Sequence, residues 1–229
     1  MKATFPFFFV TVALLFAPRC HSQGTFQNLD FESANLSLVP SGQFGTFQPI
    51  SNALPFWTAY LGTNQITQIL HNNFFLGTAT VSILGPEWTF TRLIDGAYTV
   101  ILEPGVSGQD VVDVSIAQTG LIPLGAQSIR FKSDPSPHHF GVSIGDDIVP
   151  VFLMGTNADY FSYGADITIF GGLTRELRIT AFFQDLDNRH DYLDSISFSN
   201  QPIPEPSLLG LFALGSSLLG WRLHRLRRP

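Results

Sequence analysis

From Thr78 to Ser199 the chain is a succession of short apolar runs separated by turn residues: "TATVSIL", "AYTVILEPG", "VVDVSIAQTG", "QSIRFKS", "HFGVSIG", "IVPVFLMG", "ADITIF", "RELRITAFF" and "YLDSISFS". Several alternate apolar and polar residues with period two, which sends successive side chains to opposite faces of a strand. Val, Ile, Phe and Tyr recur in them, and such side chains pack well on a pleated surface. Gly, Pro, Asp and Asn punctuate the runs at roughly the 8–12-residue spacing of an antiparallel sandwich or barrel. No ten-residue stretch of the body carries an apolar stripe of helical period. In "SIGDDIVPV", Gly145, Asp146 and Asp147 supply turn chemistry between two apolar segments, which predicts a hairpin. Residues 36–73 instead mix Pro, Gly, Ser and Asn with aromatics, and are expected to loop across the sheets. The prediction is an all-β body forming one domain over residues 23–200.

The N-terminal end has a different character. "MKATFPFFFVTVALLFAPRCHSQG" joins Lys2 to an apolar region from Phe5 to Phe16, followed by small residues Cys20 and Ser22. That is the pattern of a secretory signal peptide over residues 1–22. The apolar run is short for crossing ~30 Å of hydrocarbon, and Arg19 occupies the place where a lipoprotein signal needs a small residue. Cleavage after Ser22 removes the only cysteine, so the body is expected to hold together without a disulfide. Charge is divided unevenly as well. Residues 23–201 hold six cations and seventeen acids, a formal charge of -11, although the whole chain carries -6. Nucleic acid is a poor partner for such a body, because phosphate binding needs a basic face. Divalent cations suit it better.

Three stretches of the body carry a family resemblance. "NLDFESA" (28–34) resembles the N-x-x-FE opening of carbohydrate-binding modules and related domains with the galactose-binding-like jelly-roll fold. "ALPFWTAYLG" sits where those families place a PGW segment, with Phe56 replacing the glycine, and "YLDSISFS" resembles their closing strand. The resemblance implies an antiparallel jelly-roll β-sandwich. In many such modules it also implies a calcium ion that ties the first strand to the last, and carried over to this chain it nominates Glu32 and Asp194 as ligands. Calcium takes about six to eight oxygen ligands, so one ion could close a sandwich that lacks disulfides. The competing reading is that both are simply polar residues at strand ends. Asp30 would add an oxygen only if the first strand is regular there. For sugar stacking, Trp57 and Tyr60 are the best candidates among the aromatics, against the commoner use of such rings in a core.

Other motifs carry less chemistry. "DLDNRHD" (185–191) fails as an EF-hand, because Arg189 and His190 stand where an oxygen ligand and a glycine are required. A solvated turn is the better reading, although its carboxylates could still feed a site at Asp194. "GVSIG" matches the G-x-S-x-G of hydrolases, but that motif works on a strand-turn-helix and Ser143 lies inside a predicted hairpin strand. His71, His138, His139 and His190 show no metal-ligand spacing.

The sequence closes with Pro204, Glu205 and Pro206, an apolar segment from Ser207 to Trp221, and Arg222, Arg225, Arg227 and Arg228. Leucines surround the apolar segment rather than striping it, which predicts a transmembrane helix. Fifteen residues of helix span ~22 Å, so the arginines are expected to snorkel to the interface, on the cytoplasmic side. Triplet, helix and basic end in this order resemble the PEP-CTERM sorting signal of exported Gram-negative bacterial proteins. The resemblance makes residues 201–229 a signal recognised and cut by an exosortase, in organisms that make extracellular polysaccharide. The expectation is an exported, non-catalytic cell-surface or extracellular-matrix protein, held at the membrane by its C-terminal helix and then processed. Its expected partners are the exosortase, the export machinery and extracellular polysaccharide. A calcium-stabilised carbohydrate-binding module and a serine hydrolase using Ser143 are the alternatives.

Overall fold

The computed structural model describes residues 25–90, 93–135, 140–183 and 190–203. The signal segment, the Pro204-Glu205-Pro206 triplet, the apolar segment and the arginine end lie outside the described residues, as do His138, His139 and residues 185–189. In chain order the strands are β1 (Phe47–Pro49), β2 (Thr58–Leu61), β3 (Asn64–Ile66), β4 (Gln68–His71), β5 (Thr80–Leu84), β6 (Thr99–Glu103), β7 (Gly105–Ser107), β8 (Asp110–Val112), β9 (Val114–Leu121), β10 (Ser128–Ser133), β11 (Phe140–Ile144), β12 (Asp147–Val149), β13 (Val151–Thr156), β14 (Phe161–Asp166), β15 (Thr174–Ala181) and β16 (Asp191–Ser199). Eight of them form one sheet in the order β1-β4-β5-β6-β16-β10-β14-β13, six form a second in the order β12-β11-β15-β9-β2-β3, and β7 and β8 make a small ribbon. Within the two sheets the pairing is antiparallel except between β4 and β5. The body is all-β, as the punctuated runs predict.

The two sheets meet across one core. Val81, Ile83, Val100, Leu102, Ile129 and Phe131 of the larger sheet pack in the same cluster as Ala59, Ile116, Val142, Leu177 and Ile179 of the smaller. All five residues of β5, and all five of β6, are buried. The reason is that the outer face of this part of the sheet carries a second apolar cluster, in which Leu84, Ile101 and Tyr192 pack with Trp88. Strands covered on both sides read as continuous apolar runs rather than strict alternation, which matches "TVSIL" and "TVILE".

Three local expectations change. "NLDFESA" is a turn and not a strand: Asn28 and Phe31 take φ of 51° and 62°. Such backbone costs roughly 1–3 kcal/mol per residue, and here it drives the fully buried Phe31 ring into the core, 5.8 Å from the ring of Trp57. Trp57 Nε1–H donates to the Asn28 carbonyl at 2.9 Å, and the Ile196 amide donates to the Leu29 carbonyl at 2.9 Å. The three stretches that resemble one family therefore do meet. Residues 36–73 contain β1 to β4 and a one-turn helix, Ile50–Ala53, rather than an unbroken loop. "ADITIF" ends its strand at Asp166, whose carboxylate accepts the Thr168 amide at 2.9 Å and hydroxyl at 2.6 Å and turns the chain into a 3-10 turn, Thr168–Phe170. The predicted hairpin is present, with Ile144 paired to Asp147 around Gly145, at φ 61°, and Asp146.

Phe31→Ala should lower the unfolding free energy by about 3–5 kcal/mol, the range for emptying a buried aromatic site. Urea unfolding followed by tryptophan fluorescence measures it; a loss below about 1 kcal/mol would contradict the core position.

Candidate functional site

β16 joins the two halves of the larger sheet, pairing with β6 through Asp191, Tyr192 and Leu193 and with β10 through Asp194, Ser197, Phe198 and Ser199. The register with β10 shifts between Arg130 and Lys132, and Ser195 takes φ of 50°. Such a bulge bends the strand and re-aims the side chains beside it. Asp194 sits at this point, 1% exposed. Its Oδ1 accepts the Ser195 amide at 2.6 Å, and its Oδ2 accepts the Thr99 hydroxyl at 2.7 Å and the Asp95 amide at 3.2 Å. Glu32 Oε1 accepts the amides of Ala97 and Tyr98 at 2.9 and 3.0 Å. The structure thus brings both nominated calcium ligands onto one turn, residues 95–99.

Those oxygens face hydrogen-bond donors, however, and the Lys132 ammonium joins the same cluster through Asp95 Oδ2 at 2.6 Å. Among the described residues no three His, Cys, Asp or Glu side chains group to hold a metal. Asp30, on the irregular turn, accepts the Glu32 amide at 3.4 Å. A hard cation needs a shell of oxygens turned toward it, and the described donor set does not fit calcium. Hydrogen bonds from the amides of Asp95, Ala97 and Tyr98 tie both side chains to this turn. Burial pushes the Asp194 carboxyl up to about 7, while its bonds from Thr99, Ser195 and Asp95 pull it the other way.

Beyond the bulge, the outer face of the sheet opens into a groove. β10 alternates, with Ile129 and Phe131 in the core and Arg130 and Lys132 outward. Arg130 lies opposite Ser197 on one side and Gly164 on the other, and Lys132 lies opposite Ser162. Ser197 and Ser162 are short and leave space beside the two cations, whereas the space over Gly164 holds Met154 and Ile203. Two cavities, of about 700 Å³ and about 360 Å³, share Arg130 and Ser197. The larger extends to Leu124 and Asn200, the smaller to Met154, Ser162 and Ser195. At the far end of the smaller cavity, Asp95 Oδ2 accepts from both Lys132 and the Ser195 hydroxyl, the latter at 2.9 Å. The Lys132 bond holds the Asp95 carboxyl below its usual range and raises Lys132 in turn. Lys132 also lies 4.6 Å from the centre of the Tyr160 ring. Arg130 is held differently, with Nε donating to Ser128 Oγ at 3.2 Å and Nη2 to the Gln201 carbonyl at 3.3 Å. The chain leaving β16 crosses this face, and a side chain at Gly164 would collide with Met154 and Ile203.

A second polar group lies on the same face under the loops. Glu103, opposite Thr80 and 1% exposed, is pushed by burial up to about 8, against a downward pull from the Phe75 and Gly77 amides. His190 Nδ1 is 3.5 Å from Glu103 Oε1, the Phe74 ring is 4.3 Å from the imidazole, and burial lowers the histidine. Both shifts favour neutral forms, so at neutral pH this is a contact between a carboxylic acid and a neutral imidazole.

The sugar-stacking pair is not brought together. Trp57 is 3% exposed and packs inside the core, so its ring offers no face to a ligand. Tyr60 sits on the smaller sheet, with the Arg178 guanidinium 4.1 Å over its ring. Ser143 lies within β11 opposite Ile148 and Arg178, without the strand-turn-helix elbow its motif requires. Arg130 and Lys132 were legible only as one face of "QSIRFKS"; their serine and glycine neighbours come from strands distant in sequence. Comparison with protein-family models, with curated proteins and with solved structures finds no match.

The buried acids set a pH dependence. Their folded values of about 7 for Asp194 and about 8 for Glu103 lie above the ~4 of unfolded carboxyls. At these two sites the folded state therefore holds protons that the unfolded chain releases, so their contribution to stability falls as pH rises from about 4 to about 8, while the lowered His71, His190 and Asp95 act in the opposite sense. The thermal midpoint of Glu103→Gln relative to the parent isolates one site: the difference should move in the variant's favour between about pH 5 and about pH 8. A difference that does not change with pH would contradict the assignment.

Proposed function

We propose that this chain is an exported, non-catalytic protein of the cell surface or extracellular matrix. Its jelly-roll domain is held at the membrane by the C-terminal segment, processed there by an exosortase, and takes extracellular polysaccharide as its partner. The observation that carries the binding role is the open groove centred on Arg130. Its serine hydroxyls and anchored guanidinium are groups that hydrogen-bond a polyhydroxylated ligand, and they stand on strands, where their positions are well defined. The order of triplet, apolar segment and arginines from Pro204 to Arg228 supports the anchoring and processing. Net charge supports the location: a body at -11 stays soluble and monomer-prone outside a membrane.

Replacing Pro204, Glu205 and Pro206 together by alanine tests the processing. Intact mass from the native envelope should show parent protein shortened at both ends, and a variant that keeps its C-terminal segment in the membrane fraction. Equal masses for the two would overturn the proposal.

A further inference from the structure

We propose that the Arg130 groove is selective for a carboxylate-bearing saccharide, the guanidinium taking the carboxylate and the surrounding hydroxyls the sugar. This rests on the polysaccharide reading above and narrows its ligand class. Arg130 stands where the two cavities meet, so a chain lying along the groove must pass it. Among the described residues it has no acidic partner. Lys132 is paired with Asp95 at 2.6 Å and Arg178 with Glu176 at 2.9 Å, whereas Arg130 donates to a serine hydroxyl and a backbone carbonyl. Those two bonds orient the guanidinium and leave its other N–H groups available for a planar, bidentate acceptor.

The surroundings narrow the chemistry further. Ser197 and Gly164 flank Arg130 in register; Ser197 is exposed and leaves one side open, while Met154 and Ile203 lie over Gly164 on the other. Ser162 and Ser195 line the smaller cavity, giving hydroxyl donors and acceptors on the approach. The body as a whole is strongly acidic, at -11 for residues 23–201, so a densely charged polyanion is repelled over most of its surface. A polymer with one carboxylate per sugar, spaced by neutral hydroxyls, matches a single guanidinium set among serines. Lysine would not be equivalent, since it offers a point charge rather than a fork.

The test is affinity electrophoresis of the full-length protein in detergent, in gels containing polygalacturonate or neutral dextran. Polygalacturonate should retard the parent more strongly than dextran. Arg130→Ala should weaken that retardation about ten- to a hundredfold, as expected for losing a charge-assisted pair, and Arg130→Lys should restore it only in part. Ser197→Trp, at an exposed position directly opposite Arg130, fills the groove while keeping the charge and should also abolish retardation. Thermal melts of each variant separate lost binding from lost fold. Undiminished retardation of a folded Arg130→Ala variant overturns the proposal. So does equal retardation by dextran, which would leave the broader polysaccharide reading standing. Retardation by neither polymer would overturn both, and the processing experiment would remain a separate measure of export.

Discussion

A carboxylate almost without solvent exposure, Asp194, sits where β16 changes partners from β6 to β10, and the larger sheet depends on it. The strand can bend there only because the displaced backbone finds partners, and Asp194 supplies them by accepting from the Ser195 amide beside the bulge and from Thr99 and Asp95 across it. Glu32 grips the same turn through the amides of Ala97 and Tyr98. The N-terminal turn and the closing strand are thus tied to one loop by hydrogen bonds. A chain with a single cysteine has no internal disulfide for that purpose, and the buried Asp194 and the exposed Glu32, each accepting several bonds, are a substitute as long as their donors stay in place.

The same bulge shapes the outer face. It separates Lys132 from Arg130 in register with β16, and the two cations acquire different roles. Lys132 closes onto Asp95 and Tyr160, while Arg130 remains over the floor made by Ser197 and Gly164. The acidic excess of the body and the half-buried guanidinium are therefore compatible: one is a long-range field, the other a local hydrogen-bonding fork. Beneath the loops, Glu103 and His190 show the opposite outcome, a potential ion pair held neutral because burial penalises both charges.

Much of the architecture was legible because it rests on local signals. "RELRITAFF" and "QSIRFKS" alternate as half-buried strands must, and "SIGDD" is turn chemistry. Where the reading failed, a nonlocal contact had overridden the local one. "NLDFESA" reads as extended, yet Phe31 turns inward under Trp57, because burying that ring offsets the cost of positive φ. "ADITIF" reads as a strand until the Asp166 side chain captures Thr168. Trp57 could not be assigned to core or surface from its type, since an aromatic ring serves either place.

The sequence by itself determined that this chain is all-β and that its body is acidic and free of internal disulfides; the family resemblance nominated Glu32 and Asp194 as a pair. Periodicity, charge and short motifs are properties of neighbouring residues and survive in one dimension. Only the tertiary structure decided that those carboxylates accept amides of one turn, residues 95–99, and that Arg130 stands opposite the exposed Ser197. Each of those outcomes depends on which distant strand lies alongside, and strand pairing is settled by the packing of the whole core.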